Sequence, residues 1–294
     1  MMRLGLLPGA CLIAALMSCG IADRAGHERE ILAWRESRVE KLRAPYGWLS
    51  LVGLYWLREG ENKFGSAPDN SLVLPPTSGV EHAGSLWLAE GRVLAEAAEG
   101  SGLTADGEPV TSMRLHTDVE GTPTELALGS VRLHIIEREH KQAVRVKDSQ
   151  AQTRTEFKGI EYYPIDSSWR VKARFEPYDP PKVLPIVNVL GMPEPHESPG
   201  ALVFEVDGET FRLDPIREDD ELFVVFGDAT NGSETYGAGR FVYTDLPSED
   251  GTVVLDFNKS YNPPCVFTPY STCPLPPRQN KLPFALSAGE KIYK

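Results

Sequence analysis

The chain has 294 residues, with 30 basic and 42 acidic side chains, a formal net charge of −12 and no run of lysine and arginine. Such an acidic chain repels phosphate backbones, so nucleic acid is excluded as an expected partner. Glycine (26) and proline (24) are plentiful, and this punctuation favours many short strands over long helices.

Arg3 precedes an apolar run from Leu4 to Leu16, too short to span a bilayer, and the run ends in Leu16-Met17-Ser18-Cys19. This order resembles a bacterial lipoprotein signal. The resemblance implies that residues 1–18 are removed, that Cys19 carries lipid, and that the chain is held on a membrane in the cell envelope, facing the periplasm or the exterior. Residues 19–45 then read as a lipid-anchored spacer. Within them HEREILAWRESRVEKLR (27–43) is a solvated helix of alternating charge ended by Pro45.

Residues 46–150 read as short strands. KFGSAPDNSLVLP, followed by HAGSLWL, GRVLAEA and ADGEPV, resembles the forkhead-associated β-sandwich. Ser66 stands where that pattern has arginine, Ser78 and His82 are four apart instead of three, and Asp106-Gly107 replaces Asn-Gly. The resemblance therefore implies the sandwich but not the phosphothreonine reading, because the cation and donors for a phosphate are missing. In ELALGSVRLHIIERE, Arg132, His134 and Ile136 share one face of a strand by period two.

Residues 151–294 contain a second series of strands at roughly ten-residue intervals, expected to form a small antiparallel barrel or sandwich. The fold class is thus mainly β, two antiparallel units preceded by one helix. Asp207-Gly208 is the strongest hairpin signal. A two-residue turn there sets Phe204 opposite Phe211 and Leu202 opposite Leu213, leaving one apolar face on both strands. PEPHES (193–198) reads as an exposed loop and REDDE (217–221) as a solvated turn.

NPPCVFTPYSTCPLPP (262–277) contains Cys265 and Cys273. With an exported chain, no nearby histidine and a C-x7-C spacing, a disulfide stapling a proline-stiffened cap is expected. Two buried free thiols, or a reactive or metal-binding pair, are the alternatives. This stretch, preceded by ETYGAGRFVY and DFNKSY and followed by RQNKLPFALSAGEKIY, resembles the C-terminal signature of a bacterial family, domain of unknown function 1684. Further likeness runs upstream, so that the resemblance covers about 46–293. It implies no activity and no catalytic residue.

The candidate ligand or catalytic residues are Arg240, Asp256, Asn258, Tyr261 and Asn262. Period two places Val253, Leu255 and Phe257 on the core face and Asp256 on the other, where Arg240 from the neighbouring strand could pair with it. No cofactor and no metal are expected. The leading expectation is an envelope binding module for a small molecule, glycan or envelope protein. An envelope hydrolase using Asp256 with Arg240, or a scaffold, is the alternative.

Overall fold

The computed structural model describes residues 10–294, with side chains from residue 24 onward, so residues 1–9 and the side chain of Cys19, on which the lipid expectation falls, lie outside what is described. The chain is mainly β with one long N-terminal helix, Ala10–Arg43. Its strands form two units in the expected order.

The first unit is a two-sheet sandwich. A six-stranded sheet, centred on Val131–Arg138 and Lys141–Asp148, faces a five-stranded sheet centred on Gly84–Ala89 and Arg92–Ala97. Alternation decides the faces: Leu133, Ile135, Val144 and Val146 from one sheet meet Leu86, Val93 and Ala95 from the other in one core. Arg132, His134 and Ile136 do share the opposite face. That face is not left to solvent, since Ile136 and Ala143 on it are fully buried.

In the second unit the Asp207-Gly208 turn forms as expected. Both residues adopt positive φ (51° and 81°), as a type I′ turn requires, and Phe204 pairs with Phe211 and Leu202 with Leu213. Their sheet continues through Arg170–Val187 to Thr252–Asp256. Against it lies a three-stranded sheet of Ile216–Glu218, Glu221–Phe226 and Arg240–Asp245. Leu222, Val224 and Phe226 face one core with Phe204, Leu255 and Phe257. Phe223 and Val225 face a second, with Leu184, Ile186 and Phe241. Burial on both faces explains why LFVVF (222–226) is continuously apolar.

Three expectations are corrected here. PEPHES is not a loop but the start of the strand Pro193–Val206, paired with Lys182–Val187 in a long hairpin that folds over the three-stranded sheet. Residues 27–43 are not a solvated spacer: Ile31 and Leu42 are buried, Arg35 Nη2 donates to Tyr163 O at 2.9 Å and Arg38 pairs with Glu290 at 2.9 Å. Charged residues at 27–43 look solvated in sequence, but several of their partners come from more than 100 positions away. The proline-rich stretch, finally, is a seam between units rather than a cap. Thr268 Oγ1 donates to Leu51 O at 3.0 Å, Phe267 packs with Leu42 and Leu49, and Leu275 N donates to Val187 O at 2.9 Å.

Candidate functional site

Arg240 and Asp256 do not pair. Arg240 is 0% exposed, and its carboxylate partner is Asp228, 2.9 Å away. Nη2 also donates to Leu286 O (2.8 Å) and Nη1 to Ala288 O, which fastens the last segment of the chain to the sheet, while Nε has no hydrogen-bond partner among the described residues. Burial lowers the Arg240 pKa, and the Asp228 carboxylate opposes the drop. Asp256 ends its strand by capping a 3-10 turn, accepting from Asn258 N (3.0 Å) and Asn258 Nδ2 (2.9 Å). Its other oxygen accepts from His27 Nε2 at 2.6 Å, which ties the helix down.

That 3-10 turn breaks the period-two alternation, so Asn258 points inward and bonds the backbone N and O of Asp166 at 2.9 and 2.8 Å. Asn262 accepts Arg38 Nη2 on its carbonyl at 2.9 Å and donates its N–H to Glu290 Oε2 at 2.7 Å. These four residues form structural networks, and the hydrolytic pairing expected of Arg240 and Asp256 is overturned by their partners. Tyr261, of the five candidates, lines a cavity.

That cavity is a cleft of about 490 Å³ where the helix, the sandwich and the second unit meet. Its aromatic wall is a series of rings on the outer face of the three-stranded sheet. Phe223 and Tyr243 stack with centroids 4.8 Å apart, and Tyr243 lies parallel to Tyr261 at 6.3 Å and 8°. Trp34 of the helix and Trp48 of the sandwich also line the cleft. Such rings offer large apolar contact at little entropic cost.

The polar groups arrive from all three bodies. The helix brings Arg38, the sandwich Arg138 and Arg145, and the hairpin Glu194 and His196. Glu194 sits 3.3 Å from Arg138, while Glu218, from the exposed turn at 217–221, accepts from Tyr243 Oη at 2.6 Å. Arg145 lies on the outer face of its strand, opposite Val144 and Val146, in register with His134. It is 8% exposed, and among the described residues its Nε has no hydrogen-bond partner and its Nη2 has only Thr272 Oγ1 at 3.4 Å. Burial, then Arg138, lowers its pKa to about 10, so it is still a cation at neutral pH. Burial, followed by the Arg145 charge, pulls His134 down to about 4 and leaves it neutral.

Cys273 lines the same cleft. It and Cys265 are free thiols in contact, not the bridge expected, with Cys265 N donating to Cys273 Sγ at 3.2 Å. Their hydrogen bond favours the Cys265 thiolate, lowering that pKa, and together with burial raises that of Cys273. Among the described residues no group of histidine, cysteine and carboxylate side chains is arranged to hold a metal.

Arg145, His196, Tyr243 and Trp48 were missed in the sequence. HKQAVRVKD does show Arg145 on the face away from the sandwich core, but that face ordinarily meets solvent. Only docking of the second unit makes it an interior position.

Residues 155–291, which span the second unit, match the family described as Protein of unknown function (DUF1684). The resemblance read over 46–293 therefore holds over this narrower range. Among solved structures, an uncharacterized protein from Haloarcula marismortui is 32% identical, over 48% of this chain and 80% of that one, with a TM-score of 0.41. Two forkhead-associated domains are each 22% identical over 32% of this chain, with TM-scores of 0.23. One, studied for phosphothreonine-dependent interactions, is covered over 92% of its length. The other, from FhaA in complex with an intracellular domain, is covered over 97%. No curated protein matches the chain.

Proposed function

We propose that this chain is a small-molecule binding protein of the cell envelope, and that the cleft between its units is the binding site. The observation that carries the reading is the junction itself. Three separate bodies contribute aromatic rings and converging polar groups to one cavity of about 490 Å³, within the range of about 300–1,000 Å³ common for ligand sites, which favour domain interfaces. Trp34 and Trp48 both line it, so their fluorescence is a direct reporter. The neutral aromatic probe 1-naphthalenemethanol is expected to quench it saturably. Ser37→Trp, which puts a large ring into the cleft from the helix, is expected to weaken the probe at least tenfold. Equal affinity in both proteins would show that the probe sits elsewhere and that the cleft is not the site.

The envelope assignment rests on the Leu-Met-Ser-Cys ending of the leader. A lipid on Cys19 would hold the chain on a membrane, each buried acyl carbon adding about 0.8 kcal/mol. Radioactive palmitate is expected to label the full-length wild type and not Cys19→Ser. Equal labelling would remove the anchor while leaving the cleft reading untouched.

A further inference from the structure

Among the described residues, Arg145 is a buried cation whose only side-chain hydrogen-bond partner is a hydroxyl at 3.4 Å, and no carboxylate lies within ion-pair range of it. The contrast with Arg240 is informative. That guanidinium, buried still more fully, also has an Nε unpartnered among the described residues, but it has Asp228 at 2.9 Å and two backbone oxygens. An unpaired charge removed from water is costly, and a planar guanidinium fork suits an oxyanion bidentately. Arg145 therefore holds its donors in reserve, at the wall of a cavity.

Arg38, Lys41, Arg138 and Arg145 all line the cleft with the carboxylates of Glu194 and Glu218; Arg38 is paired with Glu290, and Arg138 with Asp118 and Glu194. Glu194 is engaged by Arg138 and Glu218 by the Tyr243 hydroxyl. His196 Nε2 is also buried without a hydrogen bond, its nearest carboxylate being Glu194 at 4.0 Å. In a chain with net charge −12, Arg145 and Lys41 are the cleft cations without an ion pair among the described residues, and the low-dielectric walls sharpen their field. The rings of Tyr243, Tyr261 and Trp48 complete it with flat apolar surface, Trp48 lying under the Arg145 guanidinium at 5.4 Å.

Resting on the cleft being a ligand site, we infer that its ligand is an organic acid: a planar apolar body that lies along the aromatic wall, with a carboxylate or phosphate group paired to Arg145. Lys41, which also lines the cleft, adds positive field, and the Glu194 and Glu218 carboxylates, which would repel an anion, are held by Arg138 and by the Tyr243 hydroxyl.

The test uses three probes with one ring system, 1-naphthoate, 1-naphthyl phosphate and the neutral 1-naphthalenemethanol, read by tryptophan fluorescence on wild type, Arg145→Met and Arg145→Lys. Melting temperature and near-ultraviolet circular dichroism show that each variant is folded. At least one acid is expected to bind wild type tenfold or more tightly than the alcohol, and the tighter acid identifies the head group. Arg145→Met is expected to lose that tenfold while changing alcohol affinity less than twofold, and Arg145→Lys to recover part of it. Acids and alcohol binding wild type equally would overturn the acid assignment and leave the cleft reading standing. The same holds if Arg145→Met weakens all three alike. Should Arg145→Met fold poorly, Arg145→Lys against wild type still decides, because loss of the planar fork must weaken the acids selectively. Failure of all three probes to reach the cleft overturns both readings together.

Discussion

Arg240→Met is expected to destabilise the protein by about 3–5 kcal/mol, the cost of leaving a buried charge without its partner. Asp228 would then sit in the interior without its cation, 8% exposed. The backbone oxygens of Leu286 and Ala288 would lose their donor. Against a typical total of about 5–15 kcal/mol this is a large share, and the final segment of the chain should loosen first. Urea denaturation measures the loss. Arg240→Met with Asp228→Asn is expected to recover part of it, since no net charge remains buried, although Asp228 also accepts from Thr230 Oγ1 at 2.6 Å. A loss below about 1 kcal/mol for the single change would mean that the pair is no clamp.

The second large effect is a pH dependence centred on His134. Its ordinary pKa of 6.5 falls to about 4 in the folded chain, first through burial and then through Arg145, with Lys147 adding and Asp118 opposing. Between those two values the unfolded chain binds more protons than the folded one, so folding stability rises with pH across the window. The stabilisation is fully present above about pH 6.5 and is lost as pH falls towards 4, amounting to at most about 3 kcal/mol. Carboxylates titrate in the same window, so the variant isolates the effect. His134→Leu cannot be protonated and is expected to show a smaller difference in urea stability between pH 7.5 and pH 4.5. An identical difference in wild type and variant would mean that His134 is protonated in the folded state without penalty.

Both residues illustrate how far the sequence reaches. Local chemistry was legible: alternation assigned Val253, Leu255 and Phe257 to the core, and Asp207-Gly208 set the Phe204–Phe211 register, because a two-residue turn leaves the backbone one pairing that keeps both apolar faces together. The mainly β class followed from the same short-range signals.

What the sequence could not settle was which second surface covers a face already assigned as outward. Arg145, His134 and Ile136 lie on the side of their sheet away from the sandwich core, and Glu194 and His196 sit among prolines that read as a loop. Their partners are drawn from segments 50 to 130 residues distant, and no period or spacing encodes such a contact. Arg240 chose Asp228 over Asp256 for the same reason: three-dimensional proximity selects among several carboxylates that pattern alone leaves equivalent. The elements and their registers were thus determined locally, by turn chemistry and by the burial of one face. The docking of helix, sandwich and second unit was decided only by the tertiary structure, because docking is what turns ordinary surface arginines and tyrosines into the walls of a low-dielectric cleft.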